Sequence, residues 1–275
     1  MELSDADFKR LSAFLQERLG IKLPEAKRTM LSGRLSKRLR LLGLASFAAY
    51  CDFVFSPEGQ QSELIPMMDA VTTNKTDFFR EPAHFDYLVN RVLPGFVAKG
   101  KRHCRAWSAG CSTGEEPYTL AMVLSEFARL QPEPGFSFEI TATDISSRVL
   151  DLARQSIYGE ERVRPVPPEL KRRYLLKGRG QNRGMVRIAP ELRAKVRFGR
   201  LNFMQPDFRM PARQQVVFCR NVLIYFDKNT QEAVINRLCQ YLEPGGYLFL
   251  GHSESIMGYQ VPLVQEAPTV HRRLP

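Results

Sequence analysis

Apolar residues recur at helical spacing through the first seventy residues of the chain. Phe8, Leu11 and Leu15 lie three and four positions apart, which predicts an amphipathic helix that ends at Gly20. The same spacing predicts three further helices: residues 24–42, one from near Ser46 to a turn at residues 56–59, and one from near Ser62. We expect no strand here, and we interpret residues 1–70 as a helical N-terminal domain.

From about Arg105 onward, short apolar runs alternate with helical patterns. The runs predict strands at residues 105–108, 137–143, 196–200, 215–219 and 247–251, with helices at 116–129, 147–156 and 230–242. This alternation is typical of α/β proteins with a doubly wound, mostly parallel sheet, here over residues 71–275. The tail at residues 269–273 is expected to add an edge strand.

The stretch from about residue 158 to residue 195 interrupts the alternation. It contains Pro165, Pro167 and Pro168 and a glycine-rich basic turn at residues 178–184, followed by the alternating run M-V-R-I. This composition predicts a small β-rich insertion with a tight hairpin.

The net charge of +11 and the pI of about 9.6 predict an acidic partner surface, which is nucleic acid, anionic lipid or acidic protein. The five cysteines are scattered without a C-x-x-C pair, and the four histidines lie far apart, so we expect reduced thiols and no metal site. The sequence contains neither an apolar run of membrane-spanning length nor a signal pattern, so we expect a cytoplasmic protein.

The run W-S-A-G-C-S-T-G-E-E-P-Y at residues 107–118 joins a strand, a turn with Gly110 and Gly114, and a helix. This geometry is typical of nucleotide-type cofactor sites, because glycines let a ligand approach the backbone. Two carboxylates, Glu115 and Glu116, would repel a phosphate. S-adenosylmethionine fits better, since it has a sulfonium, an ammonium and no phosphate. The alternative is that the helix macrodipole alone favours both glutamates.

Two polar residues follow predicted strands. Asp144 ends the run T-A-T-D, where it is placed to bind ribose hydroxyls or to cap the next helix. Asn202 follows the strand at 196–200. We expect its amide to hydrogen-bond to the edge of an adenine base, or the residue to serve only as part of a turn.

A further polar set comes from two other segments. Arg220, Asn221 and Tyr225 follow another strand and are expected at the crevice beyond the strand ends, although Tyr225 has the alternative of packing in the core. The polar run at residues 72–80, which ends with two phenylalanines and Arg80, contributes to a site or only connects the domains.

Six motifs in this order resemble the bacterial chemotaxis receptor methyltransferases, the CheR-type family, over essentially the whole chain. The motifs are T-N-K-T-D-F-F-R (73–80), S-A-G-C-S-T-G-E-E-P-Y (108–118), A-T-D-I-S (142–146), L-N-F (201–203), F-C-R-N-V-L-I-Y-F-D (218–227) and G-H-S-E-S (251–255).

The resemblance implies methyl transfer from S-adenosylmethionine to glutamate side chains of chemoreceptor helices, leaving S-adenosylhomocysteine. It places these residues around the cofactor: Asn74, Thr76, Arg80, Gly110, Glu116, Asp144, Asn202, Phe203, Arg220 and Asn221. Phe203 replaces a leucine expected in the family. Arg80, which holds a carboxylate, and Tyr225, which donates a hydrogen bond near the methyl group, are the candidate catalytic residues.

The resemblance also implies partners. Receptor methylation segments are acidic helices, so Arg34, Arg38 and Arg40 are expected to steer and dock them. The insertion is similar to a β-subdomain with which some family members bind a receptor's C-terminal peptide by strand addition. A regulatory adaptor protein is another candidate partner. Two alternatives remain: an RNA or DNA methyltransferase, which the basic pI favours, and a noncatalytic cofactor-binding module.

Overall fold

The computed structural model describes residues 2–72, 74–132 and 135–275. Its N-terminal part contains five helices: α1 (Asp5–Leu19), α2 (Arg28–Leu41), α3 (Phe47–Phe55), α4 (Pro57–Ser62) and α5 (Leu64–Val71). Their apolar faces pack into a separate core, and the part of residues 1–70 that the structure describes contains no strand, as expected. The turn predicted at residues 56–59 is wrong, because Ser56 caps α4 and Pro57 occupies its first position, where a proline is well tolerated.

A helical segment that the apolar spacing did not predict follows the first part of the chain. It consists of α6 (Ala83–Tyr87), a π-helical turn (Leu88–Val92) and α7 (Leu93–Ala98). Its buried side chains, which include Phe85 and Leu93, pack into the core of the sheet domain. The segment therefore belongs to the second part of the molecule.

The strands of the second part are β1 (His103–Ala109), β2 (Ser137–Asp144), β3 (Ile157–Gly159), β4 (Leu175–Lys177), β5 (Met185–Ile188), β6 (Val196–Arg200), β7 (Gln214–Cys219), β8 (Leu242–Leu250), β9 (Leu263–Ala267) and β10 (Val270–Arg273). The helices that accompany them are α8 (Glu115–Arg129), α9 (Ser147–Gln155), α10 (Pro168–Tyr174), α11 (Pro190–Arg193) and α12 (Lys228–Tyr241).

Seven strands form one sheet in the order β6-β2-β1-β7-β8-β10-β9. The first five are parallel and β10 runs antiparallel to both neighbours, which confirms a doubly wound, mostly parallel sheet. The chain reverses its direction of winding between β1 and β7, so a ligand crevice is expected at the carboxyl ends of these two strands. The prediction that residues 269–273 form the edge is wrong, because β9 pairs with the outer side of β10.

The insertion forms a three-stranded antiparallel sheet in the order β3-β5-β4. Residues 178–184 connect β4 with β5, which confirms the predicted hairpin. The hairpin is not tight, because a 3-10 turn at Gly180–Asn182 lies within the connection.

Candidate functional site

A cavity of about 310 Å³ lies at the carboxyl ends of the parallel strands, and the N-terminal helices form one of its walls. Its lining contains each of the predicted cofactor and catalytic residues: Asn74, Thr76, Arg80, Gly110, Glu116, Asp144, Asn202, Phe203, Arg220, Asn221 and Tyr225. These residues come from five separate stretches of sequence, and the fold brings them to one place. Their individual roles stay predictions.

The turn after β1 keeps the backbone open toward this cavity. Gly110 has a φ of 90°, and a side chain there would collide with Val222. Gly114, the residue before α8, has a φ of 97°, and a Cβ on it would lie 2.8 Å from the Tyr158 hydroxyl. Both positions therefore require glycine, and the main chain at Gly110 stays exposed to the cavity that it lines.

Asp144 ends β2 and lines the cavity. Its carboxylate accepts hydrogen bonds from the backbone N–H groups of Ser112 (2.9 Å) and Ser146 (3.0 Å). Burial raises the pKa of Asp144, and these two bonds oppose that rise. The alternative that Asp144 caps the next helix is wrong, because the Ser146 side chain accepts from the Val149 N–H at the start of α9.

Glu115 and Glu116, the two glutamates at the start of α8, have different partners. Glu116 accepts a hydrogen bond from the Ser108 hydroxyl (2.7 Å) and lies 3.4 Å from the Arg220 guanidinium. Burial raises the pKa of Glu116, and Arg220 opposes the rise. Glu115 is only 1% exposed and is ion-paired with Arg162 of the insertion. Glu115 is therefore more than a helix-start residue, since it joins the insertion to the glycine turn.

Arg220 connects the cavity to a carboxylate that sequence analysis missed. Its guanidinium lies 3.2 Å from Glu81 and donates to the Arg80 carbonyl. Burial alone would raise the pKa of Glu81, but Arg220 and the backbone N–H of His252 lower it below its usual value. The only signal in the sequence was its position directly after the motif that ends at Arg80.

Both the oxygen and the nitrogen of the Asn202 side-chain amide form hydrogen bonds with backbone groups. Its oxygen accepts from the Met204 N–H (2.9 Å), and its nitrogen donates to the Arg18 carbonyl at the end of α1 (2.7 Å). These bonds match the turn alternative, and they also fasten the strand domain to the helical domain. The adenine contact of Asn202 stays a prediction.

The helical domain forms a wall of the cavity that sequence analysis did not anticipate. The wall residues are Leu19, Ile21, Leu23, Lys27 and Met30. Tyr225 faces this wall, because its carbonyl accepts from the Lys22 N–H (2.9 Å) and the Lys27 ammonium lies 5.9 Å from its ring centre. The alternative that Tyr225 packs in the core is confirmed in part, because its half-buried side chain packs against the core of the sheet domain and also lines the cavity.

The three predicted docking arginines have different surroundings, and none lines the cavity. Arg38 forms a two-pronged ion pair with Glu63, a residue that is only 1% exposed, so it holds the helical domain together, and its docking role stays a prediction. Arg34 donates to the carbonyls of Val71 (2.6 Å) and Thr72 (3.2 Å). Arg40 is exposed on α2.

Glu254, from the G-H-S-E-S motif, fixes the loop after β7. Its carboxylate accepts from the backbone N–H groups of Asn221 (2.9 Å), Leu223 (2.7 Å) and Gly251 (2.7 Å). Asn221 has a φ of 58°, a left-handed conformation that asparagine adopts more readily than other non-glycine residues. Glu254 thereby positions the loop that carries Arg220, Asn221 and Tyr225.

We expect the Glu254→Ala variant to lower the free energy of unfolding by about 3 kcal/mol, because several buried N–H groups lose a charged acceptor. Chemical denaturation measures this loss. Glu254→Gln, which keeps one acceptor oxygen and the same shape, is the matched variant and should lose less. Equal stability of the Ala variant and the unmodified protein would contradict the anchoring role.

The sheet order, the open glycine turn and the acid after β2 together define a methyltransferase of the S-adenosylmethionine-dependent, doubly wound class. The chain belongs to the CheR methyltransferase family: residues 6–72 match its all-alpha domain and residues 74–269 match its S-adenosylmethionine-binding domain. Its cofactor is therefore S-adenosylmethionine.

Related proteins match along most of the chain. It is 41% identical to a chemotaxis protein methyltransferase of Klebsiella aerogenes, covering 93% of this chain and 85% of the relative. It is 38% identical to the chemotaxis protein methyltransferase of Escherichia coli, covering 98% and 92%. A solved glycopeptide N-methyltransferase, MtfA with sinefungin, is a distant match with a TM-score of 0.35 and 14% identity over 80% of this chain and 70% of that one.

Among the residues that the structure describes, no helix combines the length and the apolar character needed to cross a membrane.

Proposed function

We propose that this methyltransferase acts on glutamate side chains of chemoreceptors and forms glutamate methyl esters. The observation that carries the proposal is the set of cations in the cavity lining, Lys27, Lys75, Arg80 and Arg220, which suits a carboxylate acceptor. The relatives at about 40% identity are chemotaxis protein methyltransferases, which supports receptors as the source of that carboxylate.

A glutamate acceptor needs little chemical activation. A glutamate side chain in water has a pKa of about 4.3 and is ionised at neutral pH, so no general base has to remove a proton. S-adenosylmethionine supplies an electrophilic methyl group: the carboxylate oxygen bonds to the methyl carbon, the carbon–sulfur bond breaks, and its electron pair stays on sulfur as S-adenosylhomocysteine. The protein's task is to align the acceptor oxygen and to exclude water.

Arg80 and Tyr225 are the candidates for that alignment. Arg80 is held by a hydrogen bond from its guanidinium to the Lys75 carbonyl (3.2 Å). Burial raises the pKa of the Tyr225 hydroxyl, and the nearby charges of Arg80 and Arg34 oppose the rise. Tyr225 therefore stays protonated at neutral pH. In our proposal Arg80 holds the carboxylate, and Tyr225 donates a hydrogen bond near the methyl group.

Two outer surfaces suit a receptor. In our proposal three arginines of the basic helix α2 attract an acidic receptor helix: Arg34, Arg38 and Arg40. In the insertion, β3 and β4 are edge strands, and Leu176 on β4 is 51% exposed. An edge with an exposed apolar side chain suits addition of a receptor's C-terminal peptide as a further strand.

We expect the Arg40→Glu variant to methylate receptor fragments more slowly at low salt, by about threefold to tenfold, and nearly normally at high salt. The reason is that steering by an exposed charge is screened by ions. Initial rates over a salt series measure the effect. Arg197→Glu on β6 is the control, since it reverses another exposed arginine on the sheet edge. A deficit of equal size at all salt concentrations would count against steering.

The acceptor class is tested in two separate reactions, each with the protein and methyl-labelled S-adenosylmethionine. One reaction contains chemoreceptor cytoplasmic fragments and the other contains tRNA. Our proposal predicts labelled receptor and unlabelled tRNA. Labelled tRNA would favour the nucleic-acid alternative that the charge of +11 leaves open. Cofactor binding without transfer to either acceptor would favour the noncatalytic alternative.

A further inference from the structure

Three potential metal ligands from two parts of the sequence meet beside the cofactor cavity: Glu81, His84 and His252. The Glu81 Oε2 atom lies 3.5 Å from His84 Nδ1 and 3.9 Å from His252 Nε2. The ligand atoms of all three side chains lie within 4.8 Å of one another. The distance between His84 and His252 in the sequence concealed this group, which is why sequence analysis predicted no metal site.

One ring nitrogen of His84, Nδ1, has no hydrogen-bond partner and faces the Glu81 carboxylate. The Thr269 hydroxyl lies 2.7 Å from the Pro268 carbonyl and 2.8 Å from His84 Nε2. When it donates to Pro268 it accepts from Nε2, and Nδ1 is then the ring nitrogen with a free lone pair. His84 is only 2% exposed, and its Nδ1 has no hydrogen-bond partner. In that tautomer a buried nitrogen lone pair faces a carboxylate oxygen at 3.5 Å, and a cation bound between the two acceptors would satisfy both.

We propose that Glu81, His84 and His252 bind a transition-metal ion such as Zn²⁺. Two imidazoles and one carboxylate suit Zn²⁺, Ni²⁺ or Cu²⁺ and do not suit Mg²⁺. The Thr269 hydroxyl fixes the ring of His84 in the orientation that a ligand needs. The His252 side chain is 61% exposed, so it can move to complete the site and leaves an open position toward solvent.

Metal binding at this place is coupled to the cofactor site through Arg220. The Arg220 guanidinium lies 3.2 Å from the same Glu81 oxygen, and a metal ion there repels it. Arg220 also lies 3.4 Å from Glu116 and donates to the Arg80 carbonyl, and both residues line the cofactor cavity. Occupation by a metal therefore weakens cofactor binding, and the cofactor weakens metal binding by the same factor.

Isothermal titration of ZnCl₂ into the full-length, chelator-treated protein tests the site, with MgCl₂ as the metal control. We expect Zn²⁺ to bind with one ion per chain, and His252→Ala to weaken that binding by at least about tenfold. The alanine keeps the backbone N–H that donates to Glu81 (3.3 Å). His103→Ala is the matched control, because His103 is another exposed histidine near a glutamate, at 3.6 Å from Glu139.

Titration with Co²⁺ in place of Zn²⁺ gives a second readout, because Co²⁺ bound by histidine nitrogens absorbs visible light. We expect this absorption with the unmodified protein and with His103→Ala but not with His252→Ala. Absence of Zn²⁺ binding, or equal losses in both variants, would overturn the site. A cofactor dissociation constant that rises with Zn²⁺ in the unmodified protein, and less in His252→Ala, supports the coupling. A cofactor affinity that Zn²⁺ leaves unchanged in both would overturn it.

Discussion

The Asp144→Ala variant is expected to bind S-adenosylmethionine about 100-fold more weakly than the unmodified protein, which corresponds to about 3 kcal/mol. The carboxylate lines the cavity, and each oxygen that accepts a backbone N–H has a second lone pair for a ribose hydroxyl. Removing it takes away the ribose contact and leaves the N–H groups of Ser112 and Ser146 without their acceptor. Isothermal titration with the cofactor measures the loss.

Asp151→Ala is the matched control for Asp144→Ala. Asp151 lies on the following helix, where its carboxylate is exposed and paired with Arg154 at 2.9 Å. We expect this control to bind the cofactor as the unmodified protein does. Equal affinities of both variants would remove Asp144 from the cofactor site.

The Arg80→Ala variant is expected to lower kcat at saturating cofactor by about 100-fold. In our account Arg80 holds the acceptor carboxylate in line with the methyl–sulfur bond, and loss of an aligning charged contact costs a few kcal/mol of transition-state stabilisation. Steady-state rates with receptor fragments, measured at several cofactor concentrations, separate this effect from weaker cofactor binding.

Two further variants sharpen the Arg80 prediction. Arg80→Lys keeps the charge and loses the planar fork, so we expect an intermediate kcat. Arg91→Ala removes an exposed arginine from the nearby π-helical turn and should leave kcat unchanged. Full turnover of Arg80→Ala at saturating cofactor would remove Arg80 from the catalytic residues.

Much of the sheet could be predicted from sequence because its central parallel strands carry short apolar runs that are largely buried. β7 is an example: all six of its residues are buried, and the sequence shows a short apolar run. β9 could not be predicted in this way, because most of its residues are exposed and the run L-V-Q-E-A has no clear period. Because β9 was not predicted, residues 269–273, which form β10, were predicted to be the edge strand of the sheet.

The cavity lining could be predicted because residues that follow parallel strands converge at one edge of a sheet. Asp144 and Arg220 are examples, since each lies at the carboxyl end of a strand. Glu81 could not be predicted because its role depends on Arg220, 139 residues further along the chain. The ion pair of Arg38 could not be predicted for the same physical reason, since its partner Glu63 reaches it only through the packing of α5 against α2.

The bond that the enzyme forms is the most direct test of the proposed function. After incubation of receptor fragments with methyl-labelled cofactor, treatment with mild alkali hydrolyses a carboxyl methyl ester and releases labelled methanol, whereas a methylated amine keeps its label. Our account predicts alkali-released methanol and mass-spectrometric modification on glutamates of the receptor fragment. Alkali-stable label, or modification on any other residue type, would contradict it.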